Sequence, residues 1–209
     1  MSIRSRLLRR AEYAFHSKPW RNGDASLPMS EIAKRHESRN DQYDHYLWLY
    51  RKALPEALIA HREFFKLENR GFGEDAFIAL WWTLFLEFNP RNCLEIGVYR
   101  GQVLSLWRLI GRLLDIEPNN LNIVGVSPLS DLGDEVSRYP SLNYRRDIES
   151  SFRMLGLQMA DLVEAKSQDP EALAVIQGRK WDVIYLDGSH DYDVVKADAV
   201  TALANLKEG

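Results

Sequence analysis

A single cysteine, Cys93, occurs in 209 residues. No internal disulfide can form, and the small cross-linked secreted domain is excluded as a class. Cys93 sits in an apolar run, where a free thiol behaves as a small buried hydrophobe, and a reducing cytoplasm is the expected compartment. Long hydrophobic runs are missing too. The most apolar window, Ala76 to Phe88, is too short to span a bilayer and contains Glu87, so it reads as a core helix. Met1 to Phe15 has no continuous apolar region, so no signal peptide is expected. Neither sign of charge dominates: 27 Lys and Arg face 30 Asp and Glu for a net −3, which gives no electrostatic reason to expect nucleic acid as a partner. His16, His36, His45 and His61 are scattered without persuasive metal spacing.

What is present is the composition of a globular protein, 45% hydrophobic and 11% aromatic. Residues 1–90 read as an N-terminal helical region, with Pro19, Pro28, Pro55 and Gly71-Phe72-Gly73 as breaks. Its first segment places Ile3, Leu7, Leu8, Ala11 and Phe15 at helical spacing beside a run of arginines. A helix packed on its own domain or on a second copy is the favoured reading over a membrane-surface helix. Trp81 and Trp82 are expected to fill core or interface, and a homodimer through these helices is an expectation. From residue 91 the rhythm becomes strand, helix, strand. The pattern predicts strands at 92–97, 121–126, 160–165 and 181–187, and helices near 101–115, 147–157, 169–178 and 191–207. Short apolar strands alternating with helices imply an α/β domain over 91–209, a parallel sheet covered on both faces.

Two strand ends carry the chemistry. The first runs Leu94-Glu95-Ile96-Gly97-Val98-Tyr99-Arg100-Gly101, an apolar strand that ends in an acid and glycines before a helix. Gly97 and Gly101 let the backbone bend and approach a ligand, and the helix start offers free N–H groups. The other runs Tyr185-Leu186-Asp187-Gly188-Ser189-His190. In an open parallel sheet, ligands bind beyond the carboxyl ends of the strands, where strand order reverses. The nicotinamide fingerprint needs G-x-G-x-x-G and an acid about 20 residues on. Here the glycines run G-x-x-x-G and the second strand ends Val126-Ser127-Pro128, which disfavours a nicotinamide or nucleotide-sugar enzyme.

These motifs resemble the class I S-adenosylmethionine-dependent methyltransferases, and more narrowly the branch of macrocin-type O-methyltransferases and cephalosporin hydroxylase-like proteins. The resemblance covers about residues 90–209, through Leu-Glu-Ile-Gly-x-x-x-Gly at 94–101, Ser167 after the third strand, and Asp187, Gly188, His190 and Tyr192 after the fourth. It implies a Rossmann-like methyltransferase sheet and an S-adenosylmethionine site. Gly97, Tyr99 and Gly101 would shape the loop under the methionine part, and Glu95 would fix that loop or the amino group. Ser127 stands at the ribose position, with Asp131 or Asp134 as substitutes, and Ser167 beside the adenine, where Lys166 replaces an acid. The resemblance further implies a magnesium ion held at Asp187 and His190 as general base, acting on a hydroxyl of a sugar, glycoside or other polar natural product. Arg138, Tyr139, Tyr144, Arg145 and Arg146 are candidate acceptor contacts. Relatives continue into a fifth strand, so the sheet is expected to be truncated after strand four, with its edge covered by a further C-terminal portion or a partner chain. The competing reading is a noncatalytic partner-binding module with a degenerate pocket.

Overall fold

The structure, a computed structural model, describes residues 25–130 and 141–208. The N-terminal basic helix, His16, Asp131, Asp134, Arg138 and Tyr139 lie outside the described residues. Four helices come first: α1 (Met29–Arg35), α2 (Arg39–Lys52), α3 (Glu56–Leu67) and α4 (Asp75–Phe88). Strand and helix then alternate as β1 (Asn92–Ile96), α5 (Gln102–Leu113), β2 (Asn122–Ser127), α6 (Tyr144–Met154), β3 (Asp161–Glu164), α7 (Pro170–Gln177), β4 (Val183–Leu186) and α8 (Tyr192–Asn205). The order agrees with the pattern in the sequence, and the ends differ by a few residues. α6 starts earlier than expected because the Asn143 side chain accepts from the Arg146 N–H and caps it there. It stops at Gly156, whose φ of 60° lets the Leu157 N–H turn back to the Phe152 carbonyl. Asp191 caps α8 by accepting from the Asp193 N–H.

The four strands form one parallel sheet in the order β3-β2-β1-β4. The chain steps outward from β1 to β2 to β3, then jumps back to lay β4 on the other side of β1. The reversal therefore falls between β1 and β4. Alternation along the strands divides the residues between two faces. Cys93, Ile123 and Val183 pack in a large core with α4, α5 and α6. Leu94, Ile96, Val124 and Val126 face the other way, onto Ala172 and Ile176 of α7 and onto Trp181. Helices cover both faces, as the near-continuous apolar strands require. The large core runs without a break from Ile32 of α1 to Ala160, so the N-terminal helices and the sheet share it.

The outer edge of β4 is not wholly bare. Beyond α8 the chain returns to its foot: the Trp181 N–H donates to the Asn205 carbonyl at 2.9 Å, and the Lys207 N–H donates to the Trp181 carbonyl at 2.9 Å. Leu206 thus pairs in parallel with Trp181, in the place a fifth strand would take. Among the described residues no helix is long and apolar enough to cross a membrane.

Trp81 fills the core as expected, edge-on to Trp107 at 5.0 Å. Deeper in the same core, His61 of α3 meets Ser105 of α5, with Nε2 2.9 Å from the hydroxyl. Burial, aided by the neighbouring Arg62 charge, pushes the imidazole down to about 3. In the unfolded chain the same ring titrates near 6.5. Between those values the unfolded state holds more protons, so stability falls as pH drops through that window. Thermal melting between pH 7.5 and pH 4.5 should show this loss, and His61→Gln should remove part of the slope.

Candidate active site

The site is built where strand order reverses. The Gly97 N–H donates to the Val126 carbonyl and the Asp187 N–H to the Ile96 carbonyl, both at 2.8 Å. These bonds carry the ladder one residue past the strands and set the Gly97 loop against the Asp187-Gly188 segment. Gly97 adopts φ 96°, a region that L side chains rarely enter. A Cβ added there would overlap the Gly188 backbone and the Asp187 carbonyl. Gly101 turns the chain into α5 at φ 80°, with Ile148 just above. Both glycines named from the sequence are thus required by backbone geometry.

Two cavities open on either side of this turn. The first, about 440 Å³, lies over the strand ends, between Gly97-Val98-Tyr99, Ser127-Pro128, Lys166-Ser167-Gln168 and Asp187-Gly188. That volume lies within the range of small-molecule sites, about 300–1,000 Å³. Gly97, Tyr99, Ser127, Ser167 and Asp187, expected to act together, all line it. The Ser127 hydroxyl donates to the Val98 carbonyl at 3.2 Å and accepts from the Leu129 N–H at 3.4 Å, fixing the loop after β2. There Leu129 holds φ 47°, a strained value for a non-glycine residue at the rim of a cavity. Ser130 also lines the space, and its buried hydroxyl has no hydrogen-bond partner among the described residues. Tyr144 closes one wall, edge-on to Tyr99 at 5.8 Å. Arg145 instead turns outward to Glu164 at 2.8 Å.

The second cavity, about 370 Å³, lies on the opposite side of the turn, under α4 and the Arg70–Glu74 loop. Glu95 lines it and is absent from the walls of the first. The strand register explains this: Glu95 pairs across to Tyr185 and Gly125, on the sheet face covered by α5. The residue is 3% exposed, and its Oε2 finds no hydrogen-bond partner among the described residues. Burial, then the nearby Asp187 charge, push its pKa well above the usual carboxylate value, with the Leu104 N–H opposing. Tyr99 and Asp187 line both cavities. Partial burial also raises Asp187, against the Tyr185 hydroxyl and the His190 charge.

His190 is exposed and lines neither cavity. Tyr185, Trp81 and Phe72 do belong to the second cavity, and none of them was placed at the site from the sequence. For Tyr185 a signal did exist: it shares the strand face of Asp187, two residues away. Among the described residues no three His, Cys, Asp or Glu side chains converge as metal ligands. A magnesium ion wants near-octahedral oxygen coordination, and Asp187, the one ligand expected for it, gathers no such set among the described residues.

No family model and no curated protein matches this sequence. Solved structures do match in fold. The chain is similar to the SAH-bound methyltransferase PaMTH1 of Podospora anserina, at 17% identity and a TM-score of 0.54 over 82% of this chain and 68% of that one. It is also similar to an O-methyltransferase of Bacillus cereus in complex with SAH, at 15% identity and a TM-score of 0.50 over 78% and 68%. The fold is that of the class I methyltransferases. The likeness does not single out the macrocin-type branch. Backbone strain at Gly97 predicts an order of effects: Gly97→Ala should cost about 1–3 kcal/mol from the positive φ alone, with the overlap adding to it. Gly101→Ala, which meets the Ile148 side chain rather than backbone, should cost less than Gly97→Ala in urea denaturation.

Proposed function

We propose that this chain binds S-adenosylmethionine in the first cavity and transfers its methyl group to a hydroxyl. One observation carries the reading: a cavity at the reversal of strand order, floored by a glycine backbone that a Cβ would close. The residues suit a nucleoside. The orphaned Ser130 hydroxyl offers a partner to a ribose, and Pro128 and Val126 supply apolar contact for a flat base. Ser167 and Gln168 line the far wall, although the Gln168 amide already donates to Asp198.

When bound, the sulfonium supplies an already activated methyl carbon, so the protein must mainly align the acceptor and take its proton. Asp187 stands where both cavities meet. The acceptor oxygen attacks the methyl carbon in line, and the C–O bond forms as C–S breaks with its electron pair passing to sulfur. The hydroxyl proton moves to the Asp187 carboxylate, whose charged form the Tyr185 hydroxyl nearby favours. Of the acceptors the resemblance implies, a natural-product hydroxyl suits the second cavity better than a sugar, because its walls are mostly aromatic and aliphatic.

Isothermal titration with S-adenosylhomocysteine should show binding, and Ser167→Trp, a wall substitution outside the core, should abolish it. Equal binding by the variant would remove the first cavity from the account. With an acceptor in hand, Asp187→Asn should lower kcat about 10²–10⁴-fold, the usual worth of a positioned base, and leave homocysteine-product binding in place.

A further inference from the structure

The foot of the sheet, at the other end of the strands from both cavities, carries a third space of about 280 Å³. It lies between the last turns of α5, the turn at residues 115–118 and the Gly156-Leu157-Gln158 segment after α6. Drug-sized ligands take about 300–1,000 Å³, so an occupant here must be small. Ile116, Pro118, Leu121 and Leu157 give the space an apolar lining. Arg108 also lines it, and this arginine is only 6% exposed. Arginine is almost never buried so far without an ionic partner. Yet both hydrogen bonds it makes go to backbone: Nη1 donates to the Pro118 carbonyl at 2.9 Å and to the Leu121 carbonyl at 2.8 Å. Nε is buried with no partner among the described residues. The Nε–Nη2 edge, which can meet a carboxylate side-on through two parallel bonds, is thus unused. Burial lowers the pKa of this group against the pull of Asp161, but a guanidinium keeps its proton, so the charge stays in place. Arg112, one turn further along the same helix face, reaches the Leu155 and Gly156 carbonyls at 3.4 Å. Asp115 and Glu117 line the same space and are exposed, and neither forms an ion pair among the described residues.

We propose that this space binds a small zwitterion of the α-amino-acid type with an apolar side chain. Its carboxylate sits on the free edge of Arg108, its ammonium group beside Asp115 and Glu117, and its side chain against Ile116, Leu121 and Leu157. A buried cation without a counter-ion is costly, and a ligand carboxylate relieves that cost. A bare inorganic anion fits poorly, because the two carboxylates of the same space repel it. A simple cation fits poorly for the converse reason, since Arg108 faces it. Only a ligand that carries both charges, a few bonds apart, meets both ends of the space. The site is independent of the methyltransferase reading: Leu121 precedes β2, whereas the proposed nucleoside cavity lies beyond Ser127 at the far end of that strand.

The test titrates the isotopically labelled full chain with leucine, with isocaproate, which is the same carbon skeleton without the ammonium group, and with inorganic phosphate. Leucine should move the amide resonances of Arg112, Ile116, Leu121 and Leu157. Isocaproate should bind there about threefold more weakly or worse, the worth of an exposed ionic contact, and phosphate should leave these resonances in place. Arg108→Lys keeps the charge and loses the fork, and it should weaken leucine about tenfold, as the loss of a charged hydrogen bond does. A second variant leaves the buried arginine alone: Asp115→Asn with Glu117→Gln should erase the preference for leucine over isocaproate. Asp115 holds φ 54°, a conformation that asparagine also tolerates. No leucine binding, leucine shifts at Gly97 and Gly188 instead, phosphate binding as tight as leucine, or an unchanged preference in the double variant overturns the proposal.

Discussion

The turn at Gly97 is the constraint on which the rest depends. A chain leaving the middle of a parallel sheet must clear the strand beside it, and here the neighbour is the Asp187-Gly188 backbone at the end of β4. Only a residue without a Cβ and with φ 96° allows main chain to lie on main chain at that point. From this contact follow the open strand ends, the start of α5 after Gly101, and the placement of Asp187 at the border of two cavities. A larger residue would separate β1 and β4 where their order reverses, and the ligand space would go with it.

Packing supplies what the turn alone lacks. The sheet buries an apolar layer on each face, with Trp107 and Phe85 fully enclosed on one side and Trp181 on the other. Such interiors are dense enough that truncating one large aromatic costs about 3–5 kcal/mol. The strand ends are therefore held rigidly, as a site for positioned chemistry demands. Around the second cavity the work falls to arginines. Arg62, Arg70 and Arg100 satisfy loop carbonyls and side-chain oxygens that would otherwise be stranded at the edge of the core. Their rigid planar forks suit this task better than a lysine ammonium would.

The alternation of apolar strands and helices was readable from residue 91 onward, because parallel strands buried on both faces are apolar at nearly every position. The glycines of the first motif were readable for a related reason: few other residues serve at a sharp turn after a strand. Side-chain facing was less accessible. Glu95 lies two residues before Gly97 in the chain, yet register turns it to the α5 face and into the second cavity. His190 shares a short motif with Asp187, yet the turn into α8 leaves it outside both cavities. Phe72 and Trp81 belong to segments that look like ordinary loop and core helix, and only the packing of the Arg70–Glu74 loop and α4 over the strand ends brings them to the site.

The central claim is that a sulfonium nucleoside occupies the strand ends beside Gly97. The most direct measurement is a titration of the isotopically labelled chain with S-adenosylhomocysteine, followed through its backbone amide resonances. The account predicts the largest shifts at Gly97, Val98, Ser167 and Gly188, around the first cavity. Shifts concentrated instead at the opposite end of the sheet, around Arg108, Pro118 and Leu157, would contradict it.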